Sequence, residues 1–182
     1  MAIKKHNRGF TIFFAMLAGG LALSIGVAIY DLTVRELELS ATATQSQYAI
    51  YAADTGVECA LYWDYKCAGG GCMDGSAFAT SSAYLGAGSG VLCNGQDVAA
   101  AGTPPTPFNA PPANWIPWSI ENSTSAATTT FYISFAPAQP YCAKVEVMKS
   151  GDPIQTTVIS HGFNTCAPGS TNQLERALYV SY

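Results

Sequence analysis

Charge is the scarcest resource of this sequence. Asp, Glu, Lys and Arg together supply 11% of its 182 residues, against 49% hydrophobic ones. A soluble domain carries about a quarter charged residues, so the balance points to contact with lipid or with other subunits. Only eight residues are Lys or Arg, and three of them, Lys4, Lys5 and Arg8, stand together at the start. No basic stripe is left to hold nucleic acid. The two histidines are His6 and His161, and no GxSxG elbow, HExxH helix or phosphate-binding glycine loop accompanies them. His161, within Ser160-His161-Gly162 at an expected strand end, fits a structural role better than a Ser-His-Asp arrangement. Asp54 and Glu58 lie one helical turn apart and read as a solvated or capping pair. The expectation is a protein with no catalytic residue, metal or cofactor.

Charge is wholly absent from Gly9 to Tyr30. Residues 10–30 form an apolar run of about 21 residues, the length a helix needs to cross a bilayer. Basic residues before the run and Asp31 after it favour an N-terminus held in the cytoplasm, with everything downstream exported. A cleavable secretory signal has a similar start. It fits poorly, because the run is too long for an ordinary signal core and a polar helical stretch follows it with no small-x-small cleavage site. Gly19, Gly20 and Gly26 inside the run have two readings, close packing against other helices or plain tolerance by a membrane helix; each costs about 1 kcal/mol of helix propensity relative to Ala.

Proline is missing from residues 31–63, where Gly56 is the only glycine. An amphipathic helix is expected there, with one face traced through Leu37, Ala41, Thr44, Tyr48, Tyr51, Thr55 and Cys59. Unbroken from Phe10 to Trp63, it is roughly 80 Å long. Residues 64–182 then form an exported head. Cys67 to Gly90 is Gly-, Ser- and Ala-rich and reads as loop. Six prolines from Pro104 to Pro117 make a second irregular stretch, which Trp115 and Trp118 pin to the domain.

Strand signals concentrate in the last third, at Thr130–Phe135, Cys142–Met148, Gln155–Ser160 and Arg176–Tyr182. Ala143, Val145 and Val147 alternate with Lys144 and Glu146, as in a strand with one buried face. Lys149-Ser150-Gly151-Asp152-Pro153 supplies turn chemistry after it. The fold class is therefore α+β, a long N-terminal helix packed on a C-terminal antiparallel sheet with disulfide-stapled loops.

All six cysteines, Cys59, Cys67, Cys72, Cys93, Cys142 and Cys166, fall on the expected outer side of the membrane. An even count in an oxidising compartment favours disulfides. Six thiols permit many pairings, and connectivity stays open. Cys67 and Cys72 are candidates to bracket a small glycine loop, and Cys142 and Cys166 to join neighbouring strands. Zinc at Cys59, Cys67 and Cys72 is disfavoured by the spacing and the scarcity of histidine. Asp74, Asp97 and Asp152 lack the DxDxDG pattern of a calcium loop. Asn122-Ser123-Thr124 matches a glycosylation acceptor, and the match reads as coincidence.

Three blocks carry a family likeness. Lys4-Lys5-His6-Asn7-Arg8-Gly9-Phe10-Thr11 resembles the basic leader of type IV pilins and pseudopilins. Residues 48–61 (YAIYAADTGVECAL) resemble a segment of PilX-like minor pilins, and residues 158–166 with 174–178 are similar to their final hairpin. The resemblance implies that residues 1–9 are a leader, cut between Gly9 and Phe10 by a prepilin peptidase, and that Phe10 is then N-methylated. Loss of Lys4, Lys5 and Arg8 takes the net charge from −4 to −7. It further implies a single-pass inner-membrane subunit that passes, through an assembly platform and with other pilin subunits as partners, into a pilus or a secretion pseudopilus. Most pilins carry glutamate at the fifth mature position, where this chain has Phe14. That departure favours a minor, priming or tip subunit, since the glutamate serves as a registration device in the family. The competing expectation is a permanently anchored adhesin or ligand-binding head.

Overall fold

The structure is a computed structural model that describes residues 9–67, 76–82, 84–86, 90–99, 118–135, 140–166, 170 and 172–182. The expected leader before Gly9, Cys72, Asp74 and the proline-rich stretch with Trp115 lie outside these residues. Helix α1 (Gly9–Lys66) opens the described chain. It is followed by β1 (Phe78–Ser81), β2 (Tyr84–Gly86), β3 (Leu92–Cys93), β4 (Gln96–Asp97), β5 (Trp118–Asn122), β6 (Ala126–Ser134), β7 (Cys142–Ser150), β8 (Gln155–Phe163) and β9 (Glu175–Ser181). The chain divides into two units, Met1–Ala43 and Thr44–Tyr182.

From Gly9 onward the first unit is helical: no proline interrupts it, its three glycines cost propensity without breaking it, and several of its hydroxyls bond to their own backbone. Ser24 Oγ donates to Leu21 O at 2.9 Å and Thr33 Oγ1 to Ile29 O at 2.7 Å. Asp31 and Arg35, one turn apart, pair at 3.2 Å.

In the second unit β5 to β9 form a five-stranded antiparallel sheet in sequence order, with two-stranded pairs β1–β2 and β3–β4 beside it. Register puts Phe131 opposite Val145, Val145 opposite Ser160 and Ser160 opposite Leu178. Because side chains alternate, that row and its neighbours two residues away line one face. Ile133, Ala143, Val145, Val147 and Val158 are fully buried there, whereas Lys144 and Glu146 lie half-buried on the opposite face and pair with each other.

Residues 44–66 of α1 cover the buried face, but not with the side that the sequence suggests. Tyr48 and Tyr51, from the traced stripe, are exposed, and the buried positions are Ala49, Ala52, Ala53, Gly56, Val57 and Ala60. Small size explains the difference. A Cβ on Gly162 would lie 1.9 Å from Ala49 O and 2.4 Å from Ala53 N, so helix backbone and strand backbone meet at that point. A Cβ on Gly56 would lie 2.3 Å from Ser160 Oγ. Tyrosines cannot occupy such a contact, and they turn outward. From Ala49 to Asp64 the helix rises about 22 Å, and β8 covers about 20 Å from Gly162 back to Thr156. Helix and strand therefore stay in step over their whole shared length.

Three other expectations change. Gly-rich residues 67–90 are not all loop, since Phe78 is fully buried and stacks on Phe131 with ring centroids 5.7 Å apart. Ala79 N then donates to Thr129 Oγ1, and two short strands follow from that anchoring. The strands of the sheet begin earlier or end later than their apolar cores: Ala126 and Ala127 join β6 by pairing with Ser150 and Lys149. Finally, β5 is a strand where none is expected, because β6 offers it a partner edge.

Candidate functional site

Two features of the molecule stand out from what its amino acids demand individually. The first is apolar surface with no protein against it. Phe10, Phe13, Phe14, Met16, Leu21 and Ile25 are all more than half exposed, Phe10 at 69%. The helix is long and apolar enough to cross a membrane, and none of its most apolar stretch is buried in the protein. Exposed patches of this extent mark a lipid or protein contact. Within the bilayer a helix satisfies its own backbone, and the hydroxyl bond of Ser24 removes an orphan polar group as well. Length and composition are those of a membrane anchor.

Gly9 is helical and opens the described part of α1, directly ahead of Phe10. Phe10 and Phe14 meet across one turn with ring centroids 5.7 Å apart. Position 14 thus presents an exposed aromatic ring where a carboxylate would be costly to bury in hydrocarbon without a partner.

The second feature is a buried polar cluster between helix and sheet. Asp64, on the last turn of α1, receives Lys149 Nζ of β7 at 2.7 Å on Oδ1 and 2.9 Å on Oδ2. The two side chains are 9% and 6% exposed. Tyr182, just past β9, donates its hydroxyl to Asp64 Oδ2 at 2.8 Å, and Ser76 Oγ donates to Oδ1 at 3.1 Å. Lys149 Nζ also donates to Thr156 Oγ1 at 3.0 Å. The sequence reading places Lys149 in a turn, and the structure corrects this: it is the last inward residue of a strand. The signal is there in retrospect, since Lys149 continues the alternation of Val145 and Val147, and Asp64 lies one turn beyond Ala60.

Burial raises the pKa of the Tyr182 hydroxyl, and its bond to Asp64 and the carboxylate charge raise it further. A raised folded-state value means the neutral hydroxyl stabilises the fold. That contribution is fully present below the ordinary tyrosine value of 10.0 and is lost as pH rises through the folded value. Lys144 acts with the same sign. Burial lowers its pKa, but the hydrogen bond and charge of Glu146 outweigh that, and the net shift is upward. The expected result is that Tyr182→Phe flattens the fall in head stability above about pH 10, read as denaturation midpoints against pH. An unchanged slope refutes the role of Tyr182.

The remaining sequence-derived positions are distributed over the head. Cys59 is bonded to Cys93 and Cys142 to Cys166, with sequence separations of 34 and 24. Cys67 is disulfide-bonded as well. The first bond, with Trp63 Nε1 donating to Leu92 O at 3.0 Å, ties β3 and β4 to the helix. His161 Nδ1 lies 2.6 Å from Glu175 Oε1 on adjacent strands. Asp97 accepts from Gly90 N and Ala99 N and so ties together the open end of the β3–β4 hairpin. Among the described residues no three His, Cys, Asp or Glu side chains converge as metal ligands would. Asn122 is exposed at the end of β5.

Comparison with models of protein families, with curated proteins and with solved structures returns no match.

Proposed function

We propose that this chain is a minor type IV pilin or pseudopilin, a structural subunit rather than an enzyme. The observation that carries the proposal is one helix whose first part is apolar and unburied and whose last part packs on an antiparallel sheet through alanine and glycine. A subunit of a helical filament needs both: apolar surface that exchanges lipid for neighbouring helices, and a folded head joined to it. Lys4, Lys5 and Arg8 ahead of the run favour a start held in the cytoplasm and a head outside. Disulfides suit that oxidising side. In this reading Gly9–Phe10 is the cleavage point, Phe10 the methylated terminus, and the partners are a prepilin peptidase, an inner-membrane assembly platform and other pilin subunits. Phe14 supports a priming or tip position over bulk polymerisation.

Expression with and without a prepilin peptidase, followed by N-terminal and intact-mass analysis, tests the proposal. The expected product of the processed form begins at methylated Phe10. If residues 1–9 remain attached in the presence of an active peptidase, the pilin reading falls. A permanently anchored adhesin or ligand-binding head then takes its place.

A further inference from the structure

The five-stranded sheet ends in two different edges. At the β5 edge Ser82 N reaches the end of the strand and donates to Ser123 O at 2.8 Å. The β9 edge is met by no backbone among the described residues. Proteins ordinarily blunt a free edge with a very short strand, with Lys or Pro, or with a bulge. β9 has seven residues, none of them Lys or Pro, and it pairs with β8 residue for residue from Glu175 to Ser181 without a bulge.

The ladder fixes which backbone groups face outward. Thr156 and Tyr182 exchange both of their N–H···O bonds, and Asn164 N donates to Leu174 O. Bonded pairs alternate along an antiparallel ladder, so Arg176, Leu178 and Val180 bond to β8 as well, and the N–H and C=O groups of Glu175, Ala177, Tyr179 and Ser181 point away from it. Arg176, Leu178 and Val180 stand on the helix-facing side of the sheet. Leu178 and Val180 pack on the core yet stay only half-buried, so the apolar layer is incomplete at this edge. Arg176 Nε donates to Ser46 Oγ at 2.9 Å, and among the described residues its guanidinium has no carboxylate partner.

We propose that β9 takes up an extended segment of another protein as an added strand, antiparallel to β9, which is the slightly more stable pairing. The outward N–H and C=O groups supply its backbone bonds. Apolar side chains of the segment lie opposite Leu178 and Val180 and complete the helix-facing layer, and an Asp or Glu lies opposite Arg176. That acid separates the occupant from a second copy of this chain. The helix-facing residues of β9 are Arg176, Leu178 and Val180, and those of β5 are Trp118, Ile120 and Asn122, so neither edge strand of another copy brings a carboxylate to that side.

The test uses the full-length protein in detergent and a labelled synthetic peptide, acetyl-Thr-Val-Thr-Ile-Thr-Glu-Thr-amide. In antiparallel alignment its Val meets Val180, its Ile meets Leu178 and its Glu meets Arg176. Fluorescence anisotropy is expected to show saturable binding. Methylating the backbone nitrogens of the third and fifth peptide residues, whose N–H groups face β9, is expected to weaken binding about tenfold or more. Methylating those of the second and fourth, which face away, leaves it unchanged. A peptide with Lys in place of Glu does not bind the wild-type chain and does bind Arg176→Glu. No saturable binding, or equal loss from both methylation patterns, overturns the proposal. A peptide copied from residues 175–181 that binds more tightly makes a second copy of this chain the occupant and overturns the choice of partner. None of these readouts depends on whether residues 1–9 are cut or on filament assembly.

Discussion

Replacing Gly162 by alanine is expected to lower head stability by about 3 kcal/mol or more, at the upper end of what overpacking costs. The reason is the identity of the atoms in the way. An added methyl lies 1.9 Å from Ala49 O and 2.4 Å from Ala53 N, and helix backbone cannot step aside as a side chain would. Relief requires moving α1 off β8, which opens the packing around Ala52 and Ala53, both completely buried. For a domain of this size such a loss lowers the melting temperature by roughly 10 °C. Gly56→Ala serves as the comparison within the same series. Its new methyl meets Ser160 Oγ at 2.3 Å and Val145 Cγ2 at 2.8 Å, and these side chains have some freedom to turn. Ser160 Oγ is buried with no hydrogen-bond partner, so little is lost when it moves. The expected order of melting temperatures is wild type, Gly56→Ala, Gly162→Ala. A Gly162→Ala protein that melts with wild type would show that helix and strand are not in backbone contact.

Leu21→Arg is expected to take the protein out of the membrane-integral fraction. A guanidinium at the centre of a spanning helix costs about 2.5–3.5 kcal/mol on insertion scales, which is a change of about a hundredfold or more in the partition. Leu21 stands near the midpoint of residues 10–30, too far from either end for the Arg side chain to reach water easily. Leu21→Val is the control and stays in the membrane. The measurement is resistance of each variant to alkaline extraction of membranes. Full retention of Leu21→Arg would contradict a lipid-facing role for this part of α1.

These two variants also separate what is local in the chain from what is not. The apolar run is legible residue by residue, because transfer from water to lipid is a nearly additive property of side chains read one at a time. The strands of β6 to β9 are legible almost as easily, since β-branched and aromatic residues alternate with polar ones at period two. Ala143, Val145 and Val147 announce their common face before any partner is known.

The helix–sheet contact is different. Alanine and glycine are nearly silent in a hydropathy pattern, while Tyr48 and Tyr51 speak loudly, so periodicity selects the aromatic stripe. The structure selects the silent one, because backbone-to-backbone approach depends on what stands opposite, namely Gly162 and Ser160 from a segment about a hundred residues later. Lys149 shows the same limit. Turn residues follow it at Gly151 and Pro153, and by local rules it belongs with them. Its partner Asp64 lies 85 positions earlier, and only their meeting in the interior makes either residue more than a surface charge.

By itself, then, the amino-acid sequence determined the apolar helical run, the absence of recognisable catalytic motifs and most of the antiparallel strands, all of which rest on local or additive preferences. Tertiary structure alone decided which helix face is buried, that Cys59 joins Cys93, and that Asp64, Lys149 and Tyr182 converge, whereas the Cys142–Cys166 bond was already a candidate in the sequence and is the one observed. Those outcomes depend on distances between segments far apart in the chain, and such distances exist only after the strands have closed on the helix.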